Sequence, residues 1–102
     1  IYACEILFMC KIIPTKKVMK LSQNECNKIV LFSRSILKKA IKKGGSSIRD
    51  FKNISGKSGN FQKEFKVYQR ENLICLRNKC LGKITKKFIA NRSTFFCNIC
   101  QK

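Results

Sequence analysis

Cys75-Leu76-Arg77-Asn78-Lys79-Cys80, then sixteen residues, then Cys97-Asn98-Ile99-Cys100: the reading of the whole chain turns on this stretch. Two close cysteine pairs at that separation have the spacing of a tetrahedral thiolate zinc site. Each pair fits a tight turn, and the segment between them is long enough for one β-hairpin. Lys83 to Ile89 alternates in character, Ala90-Asn91-Arg92 supplies a turn, and Ser93-Thr94-Phe95-Phe96 leads back to Cys97. Four thiolates around one Zn²⁺ would leave a net charge of about −2. The surrounding positive side chains are therefore expected to face outward, toward a partner. The first pair is C-x4-C, where zinc ribbons more often carry C-x2-C. Two disulfides could use the same four residues, but seven cysteines do not pair off, and zinc is the favoured reading. Cys4, Cys10 and Cys26 lie in apolar helical patterns and read as small buried hydrophobes.

The composition points the same way. A chain of 102 residues holds one small domain or two subdomains, and pieces of that size commonly need a metal to fold. Twenty-three Lys and Arg stand against five Asp and Glu, a formal net charge of +18. That balance implies a polyanion, nucleic acid ahead of an anionic membrane surface. Ile6 to Ile13 is apolar but interrupted by Lys11 and too short to span a bilayer. The sequence opens at Ile1 with an apolar helix already under way, which is expected of the interior of a longer protein.

Ile1 to Ile13 reads as a short helix ended by Pro14, with Thr15 to Leu21 as a basic connection. Ser22-Gln23-Asn24-Glu25 is a capping box. The helix it opens carries Cys26, Ile29, Val30, Ser33, Leu37, Ala40 and Ile41 on one stripe, with lysines opposite, and stops at Gly44-Gly45. Ser46 to Asn60 has a loop composition, and Phe61 to Tyr68 reads as a strand or an extended lead-in.

Catalysis finds little to work with. There is no histidine, and Glu5, Glu25, Asp50, Glu64 and Glu71 form no carboxylate pair. Gly56-Lys57-Ser58 is not a P-loop, since Phe51 occupies the place of its first glycine. A four-thiolate zinc shell is closed, hence structural. Arg92, on the tip of a metal-braced hairpin beside Asn91 and Ser93, is suited to a phosphate oxygen or a narrow minor groove.

Asn91-Arg92-Ser93-Thr94-Phe95-Phe96-Cys97-Asn98-Ile99-Cys100-Gln101-Lys102 resembles the C-terminal end of formamidopyrimidine-DNA glycosylases. Four segments match in the same order: residues 1–8, 44–51, 56–59 and 61–68. The resemblance implies the C-terminal half of such an enzyme, mostly α with a small β part. It would comprise a helix–two-turn–helix DNA-binding domain (1–60, with a lesion-side loop at about 46–60) and a zinc finger with its lead-in (61–102). Enzymes of the family release oxidised purines through an N-terminal proline amine aided by a glutamate, then nick the strand. Neither group lies in this chain, so no catalytic residue is assigned. The resemblance implies Arg92 as the zinc-finger arginine that grips phosphates near the extruded base, with Lys57, Asn91 and Ser93 as further DNA contacts. It implies one structural Zn²⁺ on Cys75, Cys80, Cys97 and Cys100. The expected partner is double-stranded DNA with oxidised bases, met by a monomer with no membrane role, in the bacterial cytoplasm at the nucleoid. Two departures stand out: the C-x4-C pair, and Gln69 where the family usually has glycine. The alternatives are a stand-alone zinc-ribbon nucleic-acid-binding module and the oxidised-pyrimidine (endonuclease VIII) branch of the superfamily.

Overall fold

A computed structural model describes residues 1–45 and 61–102; Arg49, Lys57 and the expected loop over 46–60 lie outside the described residues. The order of elements is helix α1 (Tyr2–Cys10), a 3-10 turn (Val18–Lys20), helix α2 (Gln23–Lys42), a second 3-10 turn (Phe61–Glu64), and strands β1 (Ile84–Ile89) and β2 (Arg92–Cys97). The architecture is the expected one, two helices followed by an antiparallel hairpin with a four-cysteine cluster. Among the described residues no helix is long and apolar enough to cross a membrane.

Helix α1 ends three residues earlier than its apolar pattern suggests. Lys11 adopts a left-handed conformation (φ 61). The amides of Lys11 and Ile12 then donate to the carbonyls of Phe8 and Leu7, the paired bonds that close a helix end. Helix α2 starts as expected: the Ser22 hydroxyl accepts from the Glu25 amide at 3.1 Å and the Glu25 carboxylate accepts from the Ser22 amide at 3.0 Å. That carboxylate also holds Lys16 at 2.9 Å, so one acid caps α2 and pins the loop before it. Gly44 and Gly45 both take positive φ, and the Gly45 amide returns to the Ala40 carbonyl at 2.7 Å. The glycine stop is real.

The buried stripe of α2 differs from the expected one. Ile36 and Ala40 face the core, while Val30, Leu37, Ile41 and Cys26 are exposed. The fully buried positions of α2, Ile36 and Ala40, lie in its C-terminal half, while Glu25 ties its first turn to Lys16.

Two hydrophobic clusters meet at α1. Cys4 and Phe8 pack with Val67, Cys75, Ile84, Phe95 and Cys97; Tyr2 and Ile6 pack against the cluster of Ile36, Ala40, Phe61 and Phe65. A helix that serves both sides must be apolar nearly all round, and α1 is. Phe61 to Tyr68, expected as a strand or an extended lead-in, forms no strand and opens instead on a 3-10 turn. Phe61 begins that turn, which ends at Glu64, Phe65 follows it, and both rings join Ile36 and Ala40 of α2 in one buried cluster. Tyr2, Phe61, Phe65, Tyr68 and Phe95 form a continuous run of ring contacts, 4.9–5.9 Å between centroids, from the helices to β2.

Candidate metal centre and nucleic-acid interface

The hairpin pairs Ile84 with Cys97 through to Ile89 with Arg92. Its turn is the two residues Ala90 and Asn91, both with positive φ (51 and 63), a type I′ geometry that suits the strand twist. Arg92 therefore opens β2 rather than forming part of the turn. Its backbone is fixed by strand pairing while its side chain is exposed. Side chains alternate along a strand, so Arg92 shares a face with Thr94 and, across the pair, with Ile89 and Lys87. Lys87 is a second exposed cation on that face, found by register and missed in the sequence. Among the described residues the ion pairs are Lys16–Glu25 and Lys43–Glu64, and no acid engages Arg92. Asn91 is exposed at the turn and Ser93 is half-buried opposite Phe88.

At the other end of the hairpin the four cysteines converge. The sulfurs of Cys75, Cys80, Cys97 and Cys100 all lie within 4.8 Å of one another, with Cys75 to Cys100 at 3.8 Å and Cys80 to Cys97 at 3.6 Å. This cluster can hold a metal ion. The longer first knuckle is closed by backbone contacts: an isolated bridge joins Ile74 to Lys83, the Cys75 amide donates to the Gly82 carbonyl at 2.8 Å, and Lys79 turns the chain with φ 65. Gly82 has a steric reason to be glycine, since a Cβ there would stand 2.8 Å from the Cys97 sulfur and 2.7 Å from Ile99 Cγ1.

The thiols are not equivalent. Burial pushes Cys75 up to about 12, and burial likewise raises Cys100 against the lowering effect of Arg77. Burial is also the largest influence on Cys97. There the backbone amides of Cys100 and Ile99, with the neighbouring thiols, outweigh it and bring the group down to about 7. Amides aimed at a sulfur favour its thiolate form, as a metal ligand requires.

Three polar attachments lash this end of the molecule to the N-terminal segment, two at Glu5 and Phe8 of α1 and one at Ile12 just past its end. The buried Glu5 carboxylate accepts from the amides of Lys66, Val67 and Tyr68 at 2.8–2.9 Å. Arg77 donates to the Phe8 carbonyl, lies 4.3 Å over the Phe8 ring and reaches the Cys100 sulfur at 3.3 Å. The buried Gln101 accepts from the Cys97 amide at 2.7 Å and donates to the Ile12 carbonyl at 2.8 Å. Sequence reasoning missed all three. Only the polarity of Glu5 inside an apolar helix signalled one of them.

Comparison with known proteins decides the kinship. The chain is 43% identical over its whole length to a formamidopyrimidine-DNA glycosylase of Roseobacter denitrificans and 42% to one of Neisseria meningitidis. Over its whole length it is a homologue of formamidopyrimidine-DNA glycosylases. The chain spans 36% of the length of these curated relatives. Two solved complexes of the Lactococcus lactis enzyme superimpose over the entire chain with a TM-score of 0.90 and 38% identity, covering 36% of each solved chain. One is a mutant with a Fapy-dG containing DNA, the other the protein with an abasic site containing DNA. No protein-family model matches. Gln69, the position at which the resemblance implies a glycine, takes a positive φ of 60. The three Glu5 bonds to the residues just before it hold that turn.

Proposed function

We propose that this chain is the DNA-binding portion of a base-excision glycosylase/AP lyase that removes oxidised purines and nicks the strand, and that it carries one structural zinc ion. Zinc fits the donor set. A tetrahedral ion with bonds of about 2.3 Å to four sulfurs requires them to stand about 3.8 Å apart. The separations of 3.6 and 3.8 Å, with all four sulfurs within 4.8 Å of one another, support such a shell. Cys75, Cys80, Cys97 and Cys100 would fill it, leaving no open position for chemistry. Bound zinc would supply folding energy to a hairpin too small to hold itself.

The observation that carries the functional reading is Arg92: an unpaired guanidinium on a strand-anchored tip, in a chain of net charge +18. The corresponding segment of the solved relatives belongs to proteins seen on damaged DNA. Arg92, supported by Asn91, Ser93 and Lys87, would take backbone phosphates beside an extruded base; Lys57 is a further contact on the strength of the resemblance. Such contacts position DNA rather than read its sequence, and they help offset the few kcal/mol that extrusion costs. The bacterial relatives make the cytoplasm, at the nucleoid, the expected place of action. No residue here supplies a nucleophile or an acid–base pair, so the chain should bind without cutting. The zinc-loaded chain, titrated with a duplex containing 8-oxoguanine at several salt concentrations, should show log K falling with log[salt] and no strand nicking. Nicking, or absence of salt-dependent binding, would overturn this reading.

A further inference from the structure

The four-residue first knuckle brings Arg77 onto the metal cluster, and its contacts are unlike those of the other cations there. Lys11, Lys79 and Lys102 line the same groove as Cys80 and Cys100, but all three are exposed, and their ammonium groups are flexible, hydrated charges. Arg77 is half-buried and held on three sides. It stacks on Phe8, which is 2% exposed, it donates to the Phe8 carbonyl, and its Nε points at the Cys100 sulfur from 3.3 Å. The planar, multiply donating guanidinium allows these contacts at once.

We propose that Arg77 is a positioning residue for the metal centre: it locks the Cys100 thiolate in place, lowers its reactivity, and slows loss of the metal. The inference rests on the zinc reading above. A zinc ion with four thiolates carries about −2, and a fixed cation donating to one sulfur offsets part of that charge. An N–H···S bond also withdraws electron density from the sulfur, making it a poorer nucleophile toward electrophiles and toward protons that would release the ligand. Groups that orient metal ligands in this way commonly matter about 10–100-fold for metal affinity. Because the same guanidinium holds the Phe8 carbonyl, the grip on Cys100 is tied to α1 and not only to the knuckle.

The test uses the zinc-loaded chain with Arg77→Met, which keeps the packing on Phe8, and Arg77→Lys, which keeps the charge. Three quantities are followed: metal per chain, the rate of zinc transfer to an excess of a chelating dye, and the order in which iodoacetamide alkylates the cysteines. The sulfur-to-metal charge-transfer band of the cobalt-loaded forms supplies a fourth readout that packing alone does not move. The expected result is one metal per wild-type chain and release roughly 10–100-fold faster in Arg77→Met. Arg77→Lys should release at an intermediate rate, Cys100 should be alkylated first in both variants, and the cobalt band should move to lower energy. Wild-type release rate and band position in either folded variant would overturn the proposal. A wild-type chain that takes up no metal would instead remove the zinc reading on which it stands. Should Arg77→Met fail to fold, Arg77→Lys and Arg77→Gln decide by the same release rates.

Discussion

Replacing Glu5 by glutamine changes almost nothing in shape and should cost the molecule about 3 kcal/mol. The Glu5 carboxylate is 4% exposed. One of its oxygens accepts from the Lys66 amide at 2.8 Å and the other from the Val67 and Tyr68 amides at 2.9 Å each. Glutamine can present its carbonyl to Val67 and Tyr68, but its NH₂ then meets the Lys66 amide, donor against donor. Two charge-assisted bonds become neutral ones, a loss of about 1 kcal/mol each, and a partly buried amide loses its acceptor at about 1–3 kcal/mol. Burying a neutral group in place of a charge returns some of this, leaving about 3 kcal/mol, a large share of the 5–15 kcal/mol typical of a domain. Urea unfolding of the zinc-loaded wild type and Glu5→Gln, followed by helical circular dichroism, should show the midpoint falling by about 1–3 M at the usual slopes. A difference below about 0.5 kcal/mol would show that the amides of residues 66–68 find other acceptors and that Glu5 is no anchor.

Cys97→Ser should abolish zinc uptake and the order of the hairpin, with the loss of roughly 10–16 kcal/mol of apparent metal-binding energy. The cluster of Ile36, Ala40, Phe61 and Phe65 does not include the sulfurs, so helical circular dichroism should largely persist, and its collapse would contradict this division. Zinc affinity should rise steeply with pH. Cys75, at about 12, and Cys100, also raised, keep their protons at pH 8 in the metal-free chain. Binding must expel at least two protons, so affinity should climb about 100-fold or more per pH unit near pH 8. The slope should steepen below pH 7, where Cys97, at about 7, is protonated as well. Chelator competition at pH 6.5, 7.5 and 8.5 measures this, and a slope of tenfold or less per unit would refute it.

What the sequence made legible was local. The cysteine spacing, the capping box at Ser22–Glu25 and the Gly44-Gly45 stop each depend on residue types a few positions apart, and each appears in the structure. Contacts across long separations left no such trace. Glu5 finds its partners sixty-one to sixty-three residues away, and Gln101 reaches Ile12 across eighty-nine. The stripe of α2 was misjudged because several of its apolar residues are exposed, leaving periodicity to point at a face that tertiary packing does not use. Phe61 and Phe65 were misjudged for the opposite reason: loose alternation looked like a strand, but both rings are taken by α2. Lys11 and Gln69 carry positive φ without being glycine, which residue type alone does not announce. Arg92 was read into the turn, but its pairing with Ile89 puts it at the start of the strand.

That pairing is what separates Arg92 from the chain's many lysines, and one comparison tests it most directly. Arg92→Ala and Lys42→Ala, both zinc-loaded, are titrated against one duplex at several salt concentrations. Arg92, preorganised on its strand, should cost about 1–3 kcal/mol, equally for lesion-bearing and undamaged DNA, and should lower the salt slope of log K by about one. Lys42, exposed near the C-terminal end of α2, should cost little. Equal, small losses for the two variants would mean that Arg92 is a solvated side chain and that the hairpin tip does not grip DNA.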